Sequence, residues 1–382
     1  QVNEVASQVL CNNESTDAIN FSTENSGGTT TYAWTNNNTN IGLGASGDGN
    51  IPSFTATAGL NSETAIITVT PTFTNNDVQC TGPTETFTIT VNPTAQVNDV
   101  ASQVVCNAES TDEIVFSTNN TDGTTTYEWV NNNTATGLEA SGDGNIPSFV
   151  GTAGTSPEVS TITVTPTYTN NGEECEGPSF TFSITVNPTP TMDAPPNIEV
   201  CNGEEVVIDF TTENTGGVTT YEWSIINGPE IGLPDSTTDI TDSDSDITFT
   251  ASNPDPDPRV VIVSVTPIFT NNGVECTTSP AETFTITVKP TTNVTNFDDQ
   301  FIFTGDTTDV VTIESATENA TFTWTAVAET GINGLINTSG DTNVIPAETL
   351  TLDNGITTPL EVVYTIIPSA PAGENENGCP GN

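Results

Sequence analysis

IITVTPTFTNNDVQCTGPTETFTITVNPT, residues Ile66 to Thr94, alternates one residue at a time. Ile67, Val69, Pro71 and Phe73 fall on one face and Thr68, Thr70 and Thr72 on the other, the period of a strand buried on one side. After TNNDVQCTGP, rich in turn formers, Phe87, Ile89 and Val91 resume the same alternation, so the pair reads as a β-hairpin. No stretch carries a helical period. The stretch also repeats: TFTITVNPT at Thr86 returns as TFSITVNPT at Thr181 and TFTITVKPT at Thr283.

Working outward, QVNEVASQVLCN at Gln1 recurs as QVNDVASQVVCN at Gln96, an offset of 95 residues, and the same offset superposes SGDGNIPSF at Ser46 on its copy at Ser141. A third copy runs through Cys201, and a fourth is degenerate, with TFTWTA at Thr321 matching TYAWTN at Thr31 and Phe303 standing where the others carry cysteine. Every copy holds an aromatic-x-Trp: Tyr32/Trp34, Tyr127/Trp129, Tyr221/Trp223 and Phe322/Trp324. One tryptophan per copy reads as the core plug. About seven short strands per copy predict a two-sheet sandwich, hence an all-β chain of tandem Ig-like sandwiches forming an extended rod. The boundaries fall at 1–94, 95–189, 190–290 and 291–382, the fourth copy lacking its last strand because Asn382 lies in its TNN-type turn. VNPT, VNPTP and VKPTT join the copies, and proline stiffens such junctions.

Composition narrows the function. Of 382 residues, 50 are Asp or Glu and only Arg259 and Lys289 are cationic, a formal charge of -48. Such a field repels phosphate, which argues against nucleic acid and anionic lipid as partners. No apolar run reaches the 18–20 residues a membrane helix needs. The chain starts with Gln1, as a mature or excised segment would. Without histidine, Ser-His and Cys-His nucleophile schemes fall away. No pair among the 50 acids is marked out for glycosidase work. The reading is therefore non-enzymatic, with no required cofactor.

Three groups of residues remain candidates. Cys11, Cys80, Cys106, Cys175, Cys201 and Cys276 sit 69, 69 and 75 residues apart within the first three copies, and one disulfide per copy is the natural pairing, leaving Cys379 alone opposite Phe303. A loop of about 70 residues closed this way stabilises by roughly 4 kcal/mol in the chain-entropy model. The alternative joins neighbouring copies, Cys80 to Cys106 and Cys175 to Cys201. Asp242, Asp244 and Asp246, with Asp255 and Asp257, and Asp235 near Asp239, could supply oxygens to Ca²⁺, although the D-x-D-x-D run lacks the glycine and distal glutamate of an EF-hand, and a solvated loop is the plainer account.

V-C-N at Val105 and Val200, Y-E-W at Tyr127 and Tyr221, I-P-S-F at Ile51 and Ile146, T-P at Thr70, Thr165 and Thr266 followed by T-N-N, and the terminal T-V-N-P together resemble the PKD-like Ig-fold repeats of Bacteroidota surface proteins, notably the gliding-motility adhesins exported by type IX secretion. The resemblance covers essentially the whole chain. It implies an extracellular, cell-surface filament that carries adhesive contact, with further repeats of the same long chain and external surfaces or glycans as partners. Asp235-Ser236-Thr237 and Asp306-Thr307-Thr308 are similar to the O-glycosylation signal of that phylum and would place sugars on Ser236 and Thr307. Two other readings stand beside the stalk. One is a polymerising subunit whose fourth copy is completed by a strand from an identical neighbour. The other is a carbohydrate-binding array of a secreted hydrolase, which would need exposed aromatic platforms that a 7% aromatic content hardly supplies.

Overall fold

The computed structural model describes residues 1–234, 240–241, 246–277, 280–295, 297–370 and Cys379. The chain divides into two units, Gln1–Pro188 and Thr189–Asn382.

In the first unit the opening repeat supplies β1 (Gln8–Cys11), β2 (Thr29–Asn36), β3 (Ser46–Asp48), β4 (Glu63–Asn75), β5 (Val78–Thr81) and β6 (Glu85–Asn92). The second supplies β7 (Gln103–Cys106), β8 (Thr124–Asn131), β9 (Ser141–Asp143), β10 (Glu158–Asn170), β11 (Glu173–Glu176) and β12 (Phe180–Asn187). Each set forms one six-stranded sheet, ordered β1-β6-β4-β2-β3 and β7-β12-β10-β8-β9, with β5 on β4 and β11 on β10. The pairings are antiparallel except for the edge strands: β1 runs parallel to β6, and β7 to β12. A second, sparser layer closes the sandwich through isolated bridges, Ser15 to Thr55 and Ile19 to Ile51 in the first repeat, Ser110 to Val150 and Ile114 to Ile146 in the second.

The expected alternation holds. Ile67, Val69, Ile89 and Val91 are fully buried, with Phe87 and Trp34 of the same sheet beside them, and they pack on Ile19, Phe21 and Ile51 from the facing layer. The hairpin after β4 is tighter than the sequence suggested. Asn76 and Asp77, and in the second repeat Asn171 and Gly172, take positive φ at both central positions, the two-residue turn whose twist matches paired strands. It inserts β5 and β11 before the chain reaches β6 and β12. The tryptophans are buried as read, and a glycine makes room for each of the first two. A Cβ on Gly47 would lie 2.3 Å from the Trp34 ring, and one on Gly142 2.4 Å from Trp129.

The second unit contains β13 (Ile198–Cys201), β14 (Glu205–Asp209), β15 (Val218–Asn227), β16 (Ile240–Thr241), β17 (Asp246–Thr250), β18 (Arg259–Asn271), β19 (Val274–Cys276) and β20 (Glu282–Lys289). They repeat the same sheet, and here the sparse layer becomes a true ladder, β14 against β17. The fourth repeat follows with β21 (Val311–Thr312), β22 (Thr321–Ala328), β23 (Ile332–Asn333), β24 (Ser339–Gly340), β25 (Val344–Ile345), β26 (Thr351–Leu352) and β27 (Val362–Ser369). Among the described residues β27 pairs only with β22. Val362, Tyr364 and Ile366 on β27 are accordingly only partly buried, whereas their counterparts Ala65, Ile67 and Val69 are sealed. Among the described residues helix is confined to two single 3-10 turns, Thr39–Ile41 and Thr134–Thr136. Among the described residues no helix is long and apolar enough to cross a membrane.

Candidate functional site

The Cys-Asn segment ends the edge strand in a turn whose parts serve one another. The carboxylate of Glu14 accepts the backbone N–H of Cys11 at 2.8 Å, and the N–H of Glu14 returns to the Cys11 carbonyl at 3.1 Å. Glu109 and Glu204 do the same for Cys106 and Cys201. The Asn12 side chain donates to Thr94 Oγ1 in the linker at 3.0 Å and accepts from Ala58 N–H, so it ties the turn to both the junction and the facing layer. Each first cysteine is thus held rigidly at the linker end of its sandwich.

The second cysteine sits at the opposite end, which corrects the expected pairing. Cys11 lies beside Asn92, and Val91 pairs with Glu63 at the start of β4; Cys80 pairs with Phe73, ten residues further on. At roughly 3.4 Å per residue that is about 34 Å, while a disulfide needs Cα atoms about 4.4–6.8 Å apart. One bond per copy is therefore geometrically closed. Cys11 instead bonds Cys175 of the next repeat with Cα atoms 5.5 Å apart, and Cys201 bonds Cys379 at 5.6 Å. Cys106 and Cys276 are disulfide-bonded as well, and Cys80 is an exposed free thiol. The neighbour-copy alternative, Cys80 to Cys106 and Cys175 to Cys201, is not what forms either. Cys379 needs no partner at Phe303, whose side chain is 84% exposed.

Around Cys11–Cys175 the two repeats of the first unit interlock. The Tyr168 hydroxyl donates to the Thr121 carbonyl at 2.7 Å and lies 3.1 Å from Ser62 Oγ of the preceding repeat. Asn170 donates to Ser62 Oγ, Asn92 donates to the Asn170 carbonyl, and Thr121 donates to Asn61 Oδ1 at 2.6 Å. Asn120 donates to the carbonyls of Leu60 and Thr94. At Gly177 a Cβ would come 1.9 Å from the Ala95 carbonyl oxygen, so only glycine lets the linker pass. Sequence reading missed this junction because nothing in one repeat marks a residue as facing the next. The signal available was the odd cysteine count together with the loss of cysteine at Phe303.

The remaining candidates are not brought together. Asp235, Ser236, Asp239, Asp242 and Asp244 lie outside the described residues, and Asp246 is described only as the first residue of β17. Asp255 accepts from Arg259 Nε at 2.7 Å, and the Asp257 carbonyl accepts from Asn253, so these two serve the turn before β18. Cys11, Glu14 and Glu173 cluster within 4.8 Å, but the sulfur is committed to a disulfide and has no thiolate to offer a metal. Thr307 is exposed and shares a hydrogen bond with Thr349 Oγ1 at 2.7 Å. Lys289 pairs with Glu199 at 3.1 Å, so both cationic side chains of the chain are engaged with carboxylates. One buried carboxylate stands out in the fourth repeat. Burial alone would raise the pKa of Glu348, but N–H groups of Asn337 and Ile336 and the Asn337 side chain donate to it and hold it below its ordinary value.

No protein-family model matches the chain, and no curated protein matches it in sequence. Among solved structures it is similar to a three-immunoglobulin-domain fragment of titin (10% identity, 76% of this chain and 98% of that one, TM-score 0.39). It is also similar to mouse Cadherin-23 EC22-24 (11% identity, 74% and 95%, TM-score 0.36). Drosophila N-cadherin EC1-4 is a third (11% identity, 99% and 98%, TM-score 0.26). At these scores the likenesses carry no inference about function, and the sandwich architecture rests on the sheets described above.

Proposed function

We propose that the chain is a non-enzymatic, load-bearing stalk of an extracellular surface adhesin or filament, of the PKD-like type its motifs resemble. The observation that carries this is the placement of the disulfides. A bond from the first cysteine of one repeat to the second cysteine of the next routes tension across the junction and past the folded core between them. Residues 12–174 lie inside the Cys11–Cys175 loop and do not feel a pull applied at the chain ends while that bond is intact. Disulfides of this kind belong to an oxidising exterior, and a strongly acidic surface keeps such an array soluble. Further repeats of the same chain, external surfaces and glycans remain the partners this reading supports. Ca²⁺ and O-linked sugar at Ser236 and Thr307 are accessory proposals that it does not need.

Single-molecule stretching of the whole chain with and without reductant tests the proposal. The oxidised chain should extend little. Reduction should release at least the Cys11–Cys175 loop, whose cysteines are 164 residues apart, adding roughly 570 Å at about 3.5 Å per residue. Equal extension in both states would overturn the load-bearing reading.

A further inference from the structure

The residues of the face that receives the preceding repeat recur in the first repeat. In the second repeat that face consists of Asn120, Tyr168, Asn170, Cys175 and Gly177, filled by Ser62, Ala95 and the Leu60 carbonyl and locked by Cys11. One period earlier stand Asn25, Phe73, Asn75, Cys80 and Gly82. Asn25, Phe73, Cys80 and Gly82 line a shallow depression with Gln1 and Pro71. Cys175 is buried in its junction and Tyr168 fully so, while Cys80 is exposed and Phe73 only partly covered. In each described pair the second-position cysteine, Cys175 or Cys379, is bonded to the first-position cysteine of the repeat before it.

We infer that this end of the first repeat is a docking face for a further Ig-like repeat bearing a Cys-Asn turn of the kind found at Cys11, Cys106 and Cys201, and that Cys80 forms a disulfide with the cysteine of that turn. The bond is an oxidation: two thiols lose two protons and two electrons to the thiol-oxidising machinery or dioxygen of the extracellular compartment, and one S–S bond forms. A second copy of this chain is a poor donor. Cys11, Cys106 and Cys201 are all committed to disulfides, and the fourth repeat presents Phe303 at the donor position. The occupant is therefore a repeat of the same type with an uncommitted first cysteine. This inference rests on the repetition of the junction and not on the load-bearing reading, and stretching data do not decide it.

Peptide mapping without reduction, on the protein taken from the surface of the cells that make it, tests the assignment. The expected result is the Cys80 peptide joined to a Cys-Asn peptide other than those of Cys11, Cys106 and Cys201, lost in Cys80→Ser while Cys11–Cys175 persists. Recovery of Cys80 as a thiol, as a mixed disulfide with a small thiol, or as a Cys80–Cys80 dimer would overturn it.

Discussion

At the residue scale, one tryptophan per repeat is buried in the core, and its polar atom contributes little. Trp34, Trp129, Trp223 and Trp324 are all buried, and none of their indole N–H groups has a hydrogen-bond partner among the described residues. Replacing Trp129 by Phe should therefore cost little beyond lost volume, whereas Trp129→Ala should cost about 3–5 kcal/mol; chemical denaturation of the two variants separates the cases. Glu348 carries the clearest pH signature. Its pKa is depressed in the folded state, so it stabilises above the unfolded carboxylate value and that contribution is lost as pH falls through the folded value. Glu348→Gln should be less stable than the parent by about 1–2 kcal/mol at pH 7, and the gap should close as pH falls through the folded value. A gap that stays constant with pH would mean that the charge of Glu348 is not what matters.

At the scale of elements, the asparagines that give the chain its low-complexity look are structural parts. Asn36 is buried and donates to the Leu43 and Gly44 carbonyls, Asn37 accepts from Ile66 N–H, and Asn38 caps the short 3-10 turn. Asn131, Asn132 and Asn133 repeat the arrangement. The disulfide is the element whose removal should be felt most. Closing a loop between cysteines 164 residues apart corresponds to roughly 5 kcal/mol in the chain-entropy model. Cys11→Ser and Cys175→Ser should each lower the denaturation midpoint of the first unit substantially and by similar amounts. Cys80→Ser should leave it unchanged in the isolated chain, since that thiol is unbonded there.

At the scale of the whole molecule, a formal charge of -48 on 382 residues sets the solution behaviour. Self-repulsion of that size destabilises folded sandwiches at low ionic strength and is screened beyond about 8 Å at 0.15 M salt. Raising NaCl from about 10 mM into that range should raise the thermal midpoint. Calorimetry in NaCl and in CaCl₂ of equal ionic strength then separates screening from specific Ca²⁺ binding, because only bound Ca²⁺ adds a further rise.

Much of this protein was legible in one dimension. Strand type, the inward set Ile67, Val69, Phe87, Ile89 and Val91, the buried tryptophans and the hairpin turn all follow from a period of two and from turn chemistry, which are local properties of the chain. The 95-residue self-similarity added the tandem arrangement, because like sequences bury like faces. The disulfide pairing was not legible, because spacing along the chain does not say which end of a sandwich a residue occupies. Only the register of β1 on β6 and of β5 on β4 separates Cys11 from Cys80 by the length of a strand, and only the packing of one repeat on the next brings Cys175 within bonding distance.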